Sequence, residues 1–315
     1  MRLFTKCTTT SDKYIPCLYR IRFIISFLYF FIFCYVFAYD VEKNGVYYGL
    51  IGTRWAFVTF SGLEEDAVKY TGRVVIPSQI SHGGHTYSVI SIGENAFAGC
   101  DGLTTVQLPS SVRAVSACAF LGCSGLRQVT LPEGIQVFAS CAFTGCTSLQ
   151  QITLPRHAEF VDTLTFYCCA SLKSVILPHR IQTVCQGAME HLPALTDLYC
   201  FSSVPPVAER GSFTLSDQQH CTLHVPAEAV AMYQESPLWS DFYRIVPLSD
   251  TDYTKQNYHR GDVNDDGQID ADDLALLRRL IVRLPDNVSV RWAADINADG
   301  IVNAVDYVTL AKKLR

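Results

Sequence analysis

Residues 88–202 divide without a gap into five units of equal length, and that period constrains the fold more than any other feature of the chain. The units are SVISIGENAFAGCDGLTTVQLPS, SVRAVSACAFLGCSGLRQVTLPE, GIQVFASCAFTGCTSLQQITLPR, HAEFVDTLTFYCCASLKSVILPH and RIQTVCQGAMEHLPALTDLYCFS. One column holds Phe97, Phe120, Phe143, Phe166 and then Met189. Two others hold Leu103, Leu126, Leu149, Leu172, Leu195 and Leu108, Leu131, Leu154, Leu177. Pro109, Pro132, Pro155 and Pro178 follow the second leucine column. A 23-residue unit cannot bury its own apolar face, so like side chains must stack between neighbouring coils of a solenoid.

Within each unit, V-x-L before the proline and the apolar alternation after it read as short β-strands. Proline closing the strand is consistent with its missing N–H. The A-F-x-G-C segment reads as a helical or tight turn. Cys100, Cys123, Cys146 and Cys169 share a column that Leu192 continues, so the column is apolar interior. Parallel side chains at the ~4.8 Å spacing between strands suit disulfide geometry badly. We therefore expect buried free thiols, with disulfides as the alternative in an exported chain.

The repeated pattern I-x-x-x-A-F-x-G-C-x-x-L-x-x-V-x-L-P resembles the BspA-type leucine-rich repeat family. The resemblance implies a solenoid used for binding or adhesion, and no chemistry. The flanks fit caps for such a solenoid. Gly45–Phe60 reads as a hairpin ahead of the first coil. CTLHVP (221–226) and MYQESPLWSDFYRIV (232–246) read as a strand, a short helix and a closing strand.

Beyond a short polar stretch, the composition changes. Asp262–Asp273 reads DVNDDGQIDADD, with six Asp in twelve residues, and Asp295–Asp306 reads DINADGIVNAVD. Asp262, Asn264, Asp266, Gln268, Asp270 and Asp273 occupy positions 1, 3, 5, 7, 9 and 12 of a calcium loop, with Gly267 at the sharp turn. Asp295, Asn297, Asp299, Ile301, Asn303 and Asp306 repeat the plan, with Gly300. Position 7 donates a backbone carbonyl, so Gln268 and Ile301 are free to differ. A helix follows each loop: DDLALLRRLIVRL has Leu274, Leu277, Ile281 and Leu284 at helical spacing, and Ala304–Leu314 repeats it with Val308, Ala311 and Leu314. No helix fits before the first loop, where Tyr258–Gly261 is short and ends in glycine.

Two loop–helix units with Asp at position 12 resemble a type I dockerin over about 260–315. That resemblance implies two calcium ions and docking onto a cohesin module of a scaffold protein in a cellulosome-like complex. It also implies a cohesin-facing surface at Ala271, Asp272, Arg278, Arg279 and Arg283 in the first half and Ala304, Val305, Lys312 and Lys313 in the second. The Ser/Thr pairs familiar at loop positions 10 and 11 are absent, and the two halves differ.

The N-terminus has five basic residues and one acid in residues 1–22, then the uncharged run FIISFLYFFIFCYVF (23–37) and Ala38. This reads as a secretory signal peptide cut after Ala38, with an uncleaved anchor as the alternative. The apolar run is shorter than the roughly 20 residues of a membrane-spanning helix. The formal net charge of −5 and the lack of a basic run exclude a nucleic-acid partner. A glycosidase needs two facing carboxylates; Glu94, Asp101, Glu133, Glu159, Asp162, Glu190 and Asp197 are scattered, and no GxSxG motif occurs.

The expected fold class is therefore α+β: a leucine-rich-repeat solenoid of five coils capped at both ends, then a small all-α calcium module. The expected segments are 1–38 signal peptide, 39–87 N-terminal β cap, 88–202 repeats, 203–248 C-terminal cap, 249–259 linker and 260–315 dockerin. The expected function is that of an exported, non-catalytic binding protein held by calcium and cohesin to a scaffold, in a setting of polysaccharide breakdown. A protein or glycan ligand would sit on the solenoid. The alternatives are a carbohydrate-active enzyme built on the solenoid and a free adhesin stabilised by its calcium module.

Overall fold

The structure, a computed structural model, describes residues 39–62, 69–255, 258–264, 266–283, 291–298 and 301–315. The expected signal peptide lies outside these residues. Among the described residues no helix is long and apolar enough to cross a membrane.

Two parallel strand ladders run the length of the repeats, as the alternating segments require. One is built from the strands before each proline: Gly72–Val75, Leu103–Gln107 and Gln128–Thr130 form one sheet. Gln151–Thr153, Ser174–Leu177, Asp197–Cys200, Thr222–Val225 and Arg244–Pro247 form the next. The other ladder takes the short strands that follow the proline, from Ala114–Val115 and Val137–Phe138 to Phe160–Val161, Thr183–Val184 and Val207–Ala208. Between them lie tight turns rather than helices. Each turn is bonded to the next coil: the Phe97 N–H donates to the Ala119 carbonyl at 2.8 Å, Phe120 to Ala142 at 2.8 Å and Phe143 to Thr165 at 3.0 Å.

The phenylalanine column is interior. Phe120 is fully buried, its ring 5.0 Å from Phe97 and 5.1 Å from Phe143, with interplanar angles of 3° and 2°. Tyr70 covers the first ring at 4.6 Å. Its hydroxyl donates to the Thr59 carbonyl at 2.7 Å and accepts from the Tyr47 N–H, which fastens the N-terminal hairpin (Val46–Ile51 with Trp55–Thr59) over the coil. At the other end Trp239 and Tyr233 are fully buried. Trp239 donates to the Pro206 carbonyl at 2.8 Å and Tyr233 to Ser202 at 3.0 Å.

The stack continues past the fifth unit. Met189 bridges to Phe213, and Asp197 pairs with Thr222, so a further coil is slightly longer than the others and falls out of a gapless alignment.

The C-terminal module has its own core of Val263, Leu277, Ala294, Ile296 and Leu310, with Leu274, Leu276, Leu280, Ile281, Val302 and Tyr307 packed against it. Its main helices are Ala271–Arg283 and Ala304–Lys313. The phase expected for the second helix is corrected. Val308 and Leu314 are exposed, at 48% and 36%, and the buried face is Asp306, Tyr307 and Leu310. These are the counterparts, one loop–helix unit further on, of Asp273, Leu274 and Leu277, so the two halves repeat each other in packing as well as in sequence.

Most of the segment expected as a linker, 249–255 and 258–259, is described and packed rather than a free tether. Asp250–Lys255 is helical, and Tyr253 and Tyr258 are buried in a cluster with Phe201 and Leu248, against which Ile176, Tyr199 and Trp292 pack. Tyr253 stacks on Trp292 at 4.3 Å and 6°, and Phe201 lies 4.9 Å from Tyr258. This aromatic seam joins module to solenoid.

Candidate metal centres and docking face

Each loop is folded around the carboxylate at position 12. Asp273 is fully buried. Its Oδ1 accepts from the N–H groups of Val263 at 2.6 Å and Asn264 at 3.0 Å, and its Oδ2 from Asp270 at 2.8 Å. Asp306, also fully buried, does the same in the second loop: Oδ1 accepts from Ile296 at 2.8 Å and Asn297 at 3.3 Å, Oδ2 from Asn303 at 2.8 Å. Asn303 completes a capping box, its side chain accepting from Val305 at 2.7 Å. Position 12 thus closes the loop onto the start of its helix through backbone donors.

The remaining ligand candidates line the first loop. Asp262 Oδ1 accepts from Asp266 N–H at 3.0 Å and Oδ2 from Gly267 N–H at 3.0 Å. Asn264 Oδ1 also accepts from Asp266 N–H, Asp266 Oδ1 from Gln268 N–H, and Asp270 Oδ1 from Asp272 N–H at 2.8 Å. Gly267 has φ +86°, the left-handed turn that glycine takes without strain. In the second loop Asp295, Asn297, Ile301, Asn303 and Asp306 are described; Asp299 and Gly300 lie outside the described residues.

Asp262, Asp273, Asp295 and Asp306, positions 1 and 12 of both loops, are 2%, 0%, 7% and 0% exposed. A buried carboxylate is costly unless a cation or strong donors meet it. Asp262 meets Arg156 at 3.4 Å and Asp295 meets Arg260 at 3.1 Å. Burial pushes the Asp262 carboxyl above its ordinary range, and the nearby Asp273 charge adds to this. Among the described residues no three Asp, Glu, His or Cys side chains converge as a ready-made ligand group; the carboxylates are turned onto N–H groups instead. Donor type, order and burial nonetheless suit a hard divalent cation, which takes six to eight oxygens and offsets their mutual repulsion by attracting each of them. The residues present fit calcium on those grounds.

The expected partner-facing residues Ala271, Asp272, Arg278, Arg279, Ala304, Val305, Lys312 and Lys313 are all exposed; Arg283 belongs to the first helix, and its side chain is outside the description. Aliphatic residues that the sequence did not assign to this face stand among them: Val282 at 77%, Val308 at 48% and Leu314 at 36% exposed, beside Val305 at 54%. The sequence signal for Val282 was an apolar residue left off the expected helical stripe, whereas Val308 and Leu314 fall on that stripe.

A family model described as the BspA type leucine rich repeat region matches residues 85–210 in six copies, and the dockerin type I domain model matches residues 260–315. None of the curated proteins matches this chain. Among solved structures the chain is similar to a leucine-rich repeat protein of T. pallidum, at 31% identity over 51% of this chain and 71% of that one, with a TM-score of 0.43. A leucine-rich cell surface protein of Faecalibacterium prausnitzii matches at 24% identity over 59% of this chain and 54% of that one, TM-score 0.43. A leucine-rich repeat protein of Bacteroides capillosus matches at 28% over 43% and 96%, TM-score 0.38. A dockerin domain binds calcium and attaches to a cohesin module, and a leucine-rich repeat region serves binding or adhesion. The chain is a BspA-type leucine-rich repeat protein that carries a C-terminal type I dockerin domain.

Proposed function

We propose that this chain is an exported, non-catalytic binding protein, anchored by its dockerin to the cohesin of a scaffold that gathers polysaccharide-degrading activities. The observation that carries this reading is the duplicated loop–helix module with its unburied face of Arg278, Arg279, Val282, Val305, Val308, Lys312 and Lys313. Aliphatic and cationic side chains mixed on one small module suit a protein partner, with the apolar part excluding water and the charges fixing register. Two calcium ions, one per loop, would be held by Asp262, Asn264, Asp266, Asp270 and Asp273, and by Asp295, Asn297, Asp299, Asn303 and Asp306. The carbonyls of Gln268 and Ile301 would complete the sets. When bound, calcium would supply the positive charge that holds each loop against its own carboxylate repulsion.

The solenoid would offer its ligand a flat polar strip. Gln107, Gln128, Thr130, Gln151 and Thr153 face outward from adjacent parallel strands and are exposed. Uncharged amides and hydroxyls at strand spacing suit hydrogen bonding to an extended glycan or peptide. Capture of the full chain by cohesin-bearing proteins in calcium, with release by chelator, is the expected result. Failure of every cohesin tested in calcium to retain it refutes the anchoring role.

A further inference from the structure

Arg156 closes the third coil of the solenoid, yet its guanidinium belongs to the calcium module's environment. Its backbone N–H is pinned by Glu133 Oε2 at 2.9 Å. Its Nη1 reaches Asp262 Oδ2 at 3.4 Å, with side chains 12% and 1% exposed, and its Cζ lies 5.1 Å above the Tyr258 ring. His179, on the same flank, contacts the Tyr258 hydroxyl through Nδ1 at 3.5 Å. Burial, with Arg180, Arg156 and His157 near it, pushes His179 down to about 4, so Arg156 stands on this flank beside a second arginine and a neutral imidazole. The flank faces position 1 of the first loop.

We propose that Arg156 competes with calcium for Asp262, so that the solenoid sets the metal affinity of the first loop. This rests on the assignment of calcium to the loops. Two cations drawn to one nearly buried carboxylate repel each other in a medium that screens them poorly. Asp262 has two oxygens, and both are already partnered: Oδ1 by Asp266 N–H, Oδ2 by Gly267 N–H and by Arg156. A metal ligated by this carboxylate gains least when the guanidinium stays. By reciprocity, calcium in loop one loosens Arg156 as much as Arg156 weakens calcium. The second loop is the internal control, because the cation at its position 1, Arg260, comes from the module itself and is held by Asp250 at 3.0 Å and the Trp292 ring at 4.6 Å. A solenoid residue thereby acts on the first loop alone, while the second answers to a cation of its own module.

Calorimetric titration of the full chain with calcium tests this. Arg156→Gln should tighten one of the two sites by about fivefold or more, the lower end of ordinary coupling between sites, and leave the other unchanged. Arg156→Lys, which keeps the charge, should stay closer to the parent, and Arg127→Gln, an exposed cation of another coil, should change neither site. Equal or weaker calcium binding by Arg156→Gln overturns the proposal while leaving the loop assignment intact. No calcium heat in the parent overturns both. The parent chain offers a second measurement that needs no variant. Labelling of Arg156 by phenylglyoxal, followed by peptide mass, should quicken when calcium is added, and unchanged or slower labelling overturns the proposal.

Discussion

At the scale of single residues, the cysteine column does more than fill space. The Cys123 thiol donates to the Phe97 carbonyl at 3.0 Å, Cys146 to Phe120 at 3.2 Å and Cys169 to Phe143 at 3.1 Å. Each thiol thus ties its coil to the phenylalanine turn of the coil before it, while Leu192 in the fifth unit fills the volume without the bond. Cys100, Cys123, Cys146 and Cys169 form no disulfide. Burial pushes the thiols of Cys123 and Cys169 up to about 12. The unfolded chain ionises its thiols near about 8.5. With the folded value raised, the stability these thiols contribute is fully present below about pH 8.5 and is lost as pH climbs towards about 12. The denaturation midpoint should fall over that window in reducing buffer, and Cys123→Ala should flatten the fall; a midpoint independent of pH across it contradicts the assignment. Phe120→Ala removes a ring with stacked neighbours on both sides and should cost about 3–5 kcal/mol, the usual loss for a buried aromatic. Chemical denaturation of the variant measures it.

At the scale of elements, the repeat was legible because every column has the same neighbour one unit further on, so one period fixes strand, turn and interior together. The further coil was not, since its slightly greater length, between Met189 and Phe213 and between Asp197 and Thr222, breaks the register while leaving the strand pairing whole. The loop–helix plan was legible for a chemical reason: alternate oxygen donors and a glycine at the turn have few other uses, and in the structure position 12 of each loop closes onto backbone N–H groups at the start of a helix. The second helix misled because Val308, Ala311 and Leu314 make an apolar stripe of their own. Asp306, polar and therefore passed over as a core residue, sets the true buried face. The aromatic seam was hidden by composition. LSDTDYTKQNYH reads as a polar tether, yet its two tyrosines find Phe201 and Trp292, which are remote in sequence. Tyr253→Ala should remove the stacking on Trp292 and the contact with Phe201, and convert the seam into a tether. Limited proteolysis between residues 249 and 260 should then become fast, with the solenoid's own melting unchanged. A parent-like cleavage rate would show that the seam does not depend on Tyr253.

At the scale of the whole molecule, two cores of different character share one chain. The solenoid core runs unbroken from Val41 to Phe242 and uses apolar side chains, thiols and backbone bonds. Among the described residues the module core is a small cluster, Val263, Leu277, Ala294, Ile296 and Leu310, set beside the buried Asp262, Asp273, Asp295 and Asp306, so its stability leans on what meets those carboxylates. Removing calcium should therefore unfold or loosen the module and spare the solenoid. Calorimetry of the full chain should show a smaller transition that moves upward with calcium and a larger one that does not. Asp306→Ala sharpens the test. It leaves the N–H groups of Ile296, Asn297 and Asn303 without their shared acceptor, and a buried donor so orphaned costs about 1–3 kcal/mol. It also removes one half of the capping box that starts the last helix. With the loop no longer closed onto its helix, the smaller transition should vanish from the variant at any calcium concentration, and cohesin capture with it. The larger transition should stay where it was, because Asp306 belongs to the module and its acceptor bonds all lie there. If the larger transition instead shifted with calcium as far as the smaller, the module and the solenoid would be one cooperative unit, and the seam, rather than the loops, would govern how this chain presents its docking face.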